Sequence, residues 1–236
     1  MIKPRAVFFD VDFTLIFPGP TFRGEGYRAF CARYGIDVDQ DKFERAVASA
    51  ASLLDEPDDT PYDPEVFVNY TRHIIECMGG VGPRVVDCAR EIYREWAACQ
   101  HFELYADVPA VLGELKAARI RIGLISNTHR CLASFQSHFE LQGLISATVS
   151  SSDHGFMKPH PSIFAAALRL VDVPAAEAMM VGDSLRQDVE GALRAGMRAV
   201  LLCRGDTPVP GATEVLRARG VPIIRSLTEL KRLVIG

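Results

Sequence analysis

The sequence predicts an α/β protein with a doubly wound, mostly parallel sheet that is interrupted once by an all-helical insertion. Three observations carry that reading. From Asp107 onward, short apolar runs alternate with helical stretches, the pattern that βαβ crossovers require. Those runs are nearly continuous in apolar residues, as strands covered on both faces must be. Between Phe17 and Gln100 the strand-like texture vanishes and apolar residues recur at helical spacing instead.

Taken in order, Ala6-Val7-Phe8-Phe9 is the first strand, ending in Asp10 and Asp12, and Phe17-Pro18-Gly19-Pro20 breaks the chain into a turn. Four helices are expected near 21–34, 40–54, 64–78 and 84–99. The breaks between them fall at Gly35, at Glu56-Pro57-Asp58-Asp59-Thr60-Pro61 and at Gly79-Gly80-Val81-Gly82-Pro83. In the third helix Val66, Tyr70, His73 and Ile74 mark the apolar stripe, and Trp96 belongs to the bundle core. A helix over 108–118 has Asp107 as its N-cap and Pro109 in its first turn. Strands are expected at 121–126, 144–149, 178–182 and 199–203, with a short one at 221–224. Helices lie at 130–139, 161–170, 185–195 and 227–234. The domain reading is a core of 1–16 and 101–236, with a helical domain of 17–100 inserted.

Composition narrows the function. A formal charge of −4, from 26 basic and 30 acidic residues, lacks the basic excess of a nucleic-acid footprint. No apolar run approaches the length of a membrane span, and no signal-peptide core is visible at the N-terminus. The six cysteines form no C-x-x-C pair and read as buried thiols of a reducing compartment, so a cytoplasmic protein is expected. Composition leaves monomer and homodimer equally open.

In an open α/β sheet, ligands bind beyond the carboxyl ends of the strands. Those ends carry Asp10 and Asp12, then Ser126-Asn127-Thr128, then Met157-Lys158-Pro159, and finally Gly182-Asp183-Ser184 with Asp188 beyond. With period-two alternation, Asp10 and Asp12 leave the same face of their strand. Two such acids repel each other and suit a strand end that holds a cation or a proton. Asp183-Ser184 also reads as a helix cap, Asp188 as a first-turn acid, and Lys158 as a loop lysine when each is taken alone. His129, His154 and His160 match no ligand spacing and read as structural or surface residues, with substrate contact by His129 or His160 as the alternative.

Asp10-Val11-Asp12-Phe13-Thr14, Ser126-Asn127, Lys158-Pro159 and Gly182-Asp183 with Asp188 resemble, in order and rough spacing, the four motifs of the haloacid dehalogenase-like (HAD) hydrolases. The helical insertion is similar to the C1-type cap of that superfamily's subfamily I. The resemblance implies a Rossmann-like core and a phosphatase acting on a small phosphorylated metabolite. It implies that Asp10 is the nucleophile, Asp12 the general acid and base, and Lys158 the neutralising cation. It further implies that Thr14, Ser126, Asn127 and Lys158 hold the phosphate, and that Asp10, Asp12 (through its carbonyl), Asp183 and Asp188 surround Mg²⁺. A phosphomutase would keep every one of these residues. A 2-haloacid dehalogenase would lack an acid at Asp12, and a phosphonate hydrolase would need a cap lysine, for which only Lys42 is available. A non-catalytic binding protein would be expected to lose Asp10 or Lys158.

Overall fold

The computed structural model describes residues 3–54, 61–205 and 212–234. The expected break over 56–61 lies almost wholly outside the described residues. The chain divides into two compact units, Met1–Phe17 with Leu104–Gly236, and Pro18–Glu103.

The first unit is built on strands β1 (Ala6–Phe9), β4 (Arg121–Ser126), β5 (Ala147–Ser150), β6 (Ala178–Gly182), β7 (Arg198–Leu202) and β8 (Ile223–Ile224). They form a six-stranded sheet in the order β5-β4-β1-β6-β7-β8, and the registered pairs run parallel. Around them lie α5 (Val108–Ala117), α6 (Leu132–His138), α7 (Ser151–His154), α8 (Pro161–Val171), α9 (Gly191–Arg194), α10 (Ala212–Ala218) and α11 (Leu230–Val234). This strand order reverses direction at β1, whose neighbours β4 and β6 lead to opposite halves of the sheet. The crevice beyond the end of β1 is therefore the place where such a fold binds ligands. β1 is central because all four of its residues are buried. Burial of Phe8 and Phe9 stabilises the unit by about 1.5–3 kcal/mol each. Gly123 makes that packing feasible, since a Cβ there would meet the Phe8 ring at 2.3 Å.

Several local expectations are corrected. The strand expected over 144–149 starts only at Ala147, because Gly143 at φ +77° and the Leu144 N–H to Leu141 carbonyl bond make a turn first. Asp107 precedes α5 but caps nothing with its side chain. Its carboxylate instead accepts from Arg204, the Ser226 hydroxyl and the Leu227 N–H, and those bonds hold its pKa below the usual range although burial works the other way. The helix expected over 185–195 opens as a π-helix over Leu185–Glu190 before α9.

The second unit contains α1 (Gly24–Arg33), α2 (Phe43–Ala50), α3 (Pro64–Cys77) and α4 (Val85–Glu95). In α3 the buried residues are Val68, Thr71, Ile74 and Ile75, whereas Val66, Tyr70 and His73 are only half-buried. Packing against both α2 and α4 turns the core stripe away from the one expected. Trp96 is half-buried and packs on Phe22 and Phe102. Strands β2 (Ile16–Pro18) and β3 (Phe102–Leu104) pair as a separate ribbon, and the chain passes from one unit to the other within it. All six cysteines are free; Cys31, Cys88 and Cys99 are buried, while Cys77 and Cys131 are exposed, contrary to expectation. Among the described residues no helix is long and apolar enough to cross a membrane.

Candidate active site

The site begins where β1 ends. The Asp10 N–H still joins the ladder, donating to the Val181 carbonyl at 3.0 Å. The chain then folds on itself. The Leu15 and Ile16 N–H groups both return to the Val11 carbonyl, and the Phe13 N–H donates to the Ile16 carbonyl at 2.7 Å. This tight loop holds Phe13 in the left-handed region at φ +62°, a conformation that costs a non-glycine residue about 1–2 kcal/mol. Loop closure therefore outweighs a local penalty, and it fixes where Asp12 and Thr14 emerge.

Lys158 enters from the segment after β5. Its Nζ lies 2.6 Å from Asp10 Oδ1 and 2.6 Å from Asp188 Oδ1, and all three residues are buried. Burial alone would lower the lysine's pKa, but the two carboxylates outweigh it and hold the ammonium above its usual range. Asn127 was expected to donate to phosphate. Instead its Oδ1 accepts the Lys158 backbone N–H at 2.7 Å, and its Nδ2 donates to the Lys158 carbonyl and to Gln187 Oε1. Both amide hydrogens are thereby engaged. Asn127 holds the lysine's backbone in place.

Asp188 reaches the site because the π-helix is wide. The Asp188 and Val189 N–H groups both point to the Ser184 carbonyl, while Asp188 Oδ2 accepts the Ser184 N–H at 3.0 Å. The carboxylate then folds back over Gly182, where a Cβ would meet Oδ2 at 2.1 Å. Asp188 is 1 % exposed, so it is not a solvated first-turn acid. Ser184 does cap this helix, its hydroxyl accepting the Gln187 N–H.

Carboxylate oxygens of Asp10, Asp183 and Asp188 lie within 4.8 Å of one another. Burial chiefly, with repulsion from Asp188 and Asp183, raises the Asp10 pKa well above the usual carboxylate range in spite of Lys158. Asp183 is pushed up to about 7 by removal from water and then by Asp188. Asp183 is nonetheless exposed on its surface, so water screens part of that rise. Three clustered carboxylates (Asp10, Asp183, Asp188) meet one ammonium, Lys158, and a divalent cation with a hard-oxygen preference would offset their mutual repulsion. The donor set fits Mg²⁺ in kind, since its three clustered groups are hard carboxylate oxygens. The Thr14 hydroxyl lies 3.4 Å from Asp183 Oδ1, supporting that carboxylate. Ser126 Oγ is buried without a hydrogen-bond partner among the described residues. A buried orphan hydroxyl at a site is a group for an incoming oxygen to satisfy.

Asp12 is half-buried and stands apart from the carboxylate cluster. Both of its oxygens lie 3.1 Å from Arg130 Nη1, and Arg130 is 1 % exposed. Sequence reading missed Arg130, because an arginine four residues beyond Ser126 matches none of the four motifs. It also missed Arg204, which donates to the Thr14 carbonyl from Nε and Nη2 and pairs with Asp107. Of the histidines, His160 caps α8 and stacks on Phe156, His154 shares the Ser162 hydroxyl, and His129 is half-buried in the turn after β4.

Fold and site together define a parallel α/β core that carries, at the end of its central strand, a buried lysine across one acid and a second acid two residues on. The sequence profile of the haloacid dehalogenase-like hydrolases matches residues 4–196, and the chain belongs to that family. It is 31 % identical over 250 residues to the human (Homo sapiens) N-acylneuraminate-9-phosphatase, covering 98 % of this chain and 94 % of that one. It is 34 % identical over 165 residues to a phosphoserine phosphatase of Thermus thermophilus, covering 66 % and 61 %. A HAD-hydrolase from Bacillus subtilis bound to magnesium superposes with a TM-score of 0.75 at 18 % identity, covering 99 % of each chain. At that identity the superposition speaks for the fold alone.

Proposed function

We propose that this chain is a Mg²⁺-dependent phosphate monoesterase that acts on a small phosphorylated metabolite through an aspartyl-phosphate on Asp10. The observation that carries the reading is the second acid. Asp12 stands two residues beyond Asp10 and is fixed by Arg130, placing a proton carrier beside a carboxylate nucleophile. A departing halide needs no proton, whereas an alkoxide leaving group does. Relatives named as phosphatases, among them the two above, point the same way.

In this reading an Asp10 oxygen bonds to phosphorus while the ester P–O bond breaks, and the departing oxygen takes a proton from Asp12. Water then attacks the same phosphorus and gives a proton to Asp12. The phosphorus–Asp10 bond breaks, and inorganic phosphate leaves. General acid–base transfer of this kind contributes about 10²–10⁴-fold. Lys158 balances charge on Asp10 and on the phosphoryl oxygens as a compact cation. Ser126 Oγ donates to one of those oxygens. Asp10, Asp183 and the Asp12 carbonyl, with Asp188 near, would hold Mg²⁺, which would supply charge neutralisation for an incoming dianion.

Lys42 lies in an exposed turn and pairs with Asp39 at 3.5 Å. An exposed, paired lysine does not suit the Schiff-base chemistry of a phosphonate hydrolase. The helical unit is assigned the role of cap, selecting the leaving group. Free thiols throughout suit a reducing cytoplasm.

The test is a panel of small phosphate esters with Mg²⁺ and with EDTA, run alongside Asp10→Asn and Asp12→Asn. Release of inorganic phosphate that EDTA and Asp10→Asn both abolish supports the reading. Retention of the phosphoryl group on an isomerised product would indicate a phosphomutase, and metal-independent activity on chloroacetate would overturn it.

A further inference from the structure

Arg130 stands out as a charged side chain whose burial nothing in the four motifs accounts for. It is 1 % exposed and extends from the turn after β4 to the loop after β1, where Nη1 lies 3.1 Å from both oxygens of Asp12. Burial of a guanidinium is costly unless it is paired, and the Asp12 carboxylate is a partner of this charge. The turn that carries it is braced from below. Thr128 Oγ1 accepts the Arg130 N–H at 3.0 Å, and the Thr128 N–H donates to Ser151 Oγ at 3.0 Å. The Thr128 carbonyl accepts the Ser151 hydroxyl and the Ser152 N–H at the end of β5. Thr128 and Ser151 are themselves buried. A rigid path therefore runs from the end of β5 through Thr128 to Arg130 and on to Asp12.

We propose that Arg130 is the positioning residue for Asp12, fixing the carboxylate that carries the proton in both halves of the reaction. Nη1 sits at equal distance from the two oxygens, which restrains the carboxylate's place. Asp10 and Lys158 bond to neither group, so loss of Arg130 leaves the nucleophile's own ion pairs intact. The two half-reactions then respond unequally. With p-nitrophenyl phosphate the leaving group departs with little need of a proton, whereas hydrolysis of the aspartyl-phosphate still needs Asp12 as base. This inference rests on the phosphatase reading above.

The experiment compares wild type, Arg130→Met, Asp12→Asn and the double variant on p-nitrophenyl phosphate with Mg²⁺, by rapid quench. Wild type turning over through a phosphorylated Asp10 establishes the underlying reading; its failure would sink that reading irrespective of Arg130. Given that, Arg130→Met is expected to lower steady-state kcat by about 10–100-fold, with KM changed less than about threefold. A burst of p-nitrophenol and an accumulated phospho-Asp10 should appear that wild type lacks. The double variant should be no slower than Asp12→Asn alone. Should Arg130→Met not fold, Arg130→Lys keeps the charge but is one bond too short to hold Asp12, and the same burst is expected to a smaller degree. Equal slowing of both half-reactions without a burst, full activity in Arg130→Met or Arg130→Lys, or a double variant much slower than Asp12→Asn would overturn the proposal.

Discussion

Lys158 is held from both ends. Its ammonium bridges Asp10 and Asp188 at 2.6 Å each, and its backbone is gripped through N–H and carbonyl by Asn127. Asn127→Ala removes the grip without touching the charges, so kcat should fall by about 10²-fold, the scale of a misplaced catalytic group. The fold should survive, as thermal melts of the variant would show. Activity equal to wild type would mean that the backbone needs no such clamp. The acids, the hydroxyls and the lysine could be read from the sequence because their types are scarce at strand ends and their order is distinctive. Asn127's task could not, since an amide's partner depends on what faces it in space. Arg130 and Arg204 were illegible for a related reason: each reaches a residue more than a hundred positions away, and no local spacing encodes that.

Among the elements, the π-helix over Leu185–Glu190 has the largest effect on the site. Periodicity foretold a helix there but not its width, since i→i−4 and i→i−5 bonding demand the same apolar positions over so short a stretch. The wide turn returns Asp188 over Gly182, and π-turns of this kind recur at functional sites. Gly182→Ala would drive a Cβ to within 2.1 Å of Asp188 Oδ2. Moving the carboxylate should destabilise the protein by about 1–3 kcal/mol and weaken Mg²⁺ binding. Denaturant melts and a calorimetric Mg²⁺ titration would check both; an unchanged Mg²⁺ affinity would place Asp188 outside the metal's surroundings. Helix α5 offers a milder lesson. Asp107 sits where a cap belongs, yet Arg204, Ser226 and Leu227 draw its carboxylate away.

At the scale of the molecule, the six strands of the main sheet, their direction and the helical insertion reflect the alternation of apolar runs and helical stretches, whereas the short β2–β3 ribbon carries no such signal. Strand ends moved by a few residues where turns such as that at Gly143 intervened. The site's charge has a global consequence too. Asp10 and Asp183 carry raised pKa values in the folded state, so without metal the native protein holds protons that the unfolded chain, with carboxylates near pH 3.9, has released. From roughly pH 4 upward these two groups should make the metal-free protein less stable as pH rises, with the Asp183 part ending near its folded pKa of about 7. Mg²⁺ competes with the same protons, so its stabilising effect should be larger at roughly pH 7.5 than at roughly pH 5. Thermal melts in EDTA and in Mg²⁺ at the two pH values would test this, and a metal effect that is independent of pH would count against the cluster as the binding site. The central claim is chemical, however: Asp10 becomes phosphorylated. Acid quenching of a reaction with a radiolabelled phosphate ester, then peptide mapping, should place the label on Asp10 of the wild-type protein and on nothing in Asp10→Asn, which should also lose activity by at least about 10³-fold. Phosphate released at the normal rate by Asp10→Asn, or label found on another residue, would contradict the account.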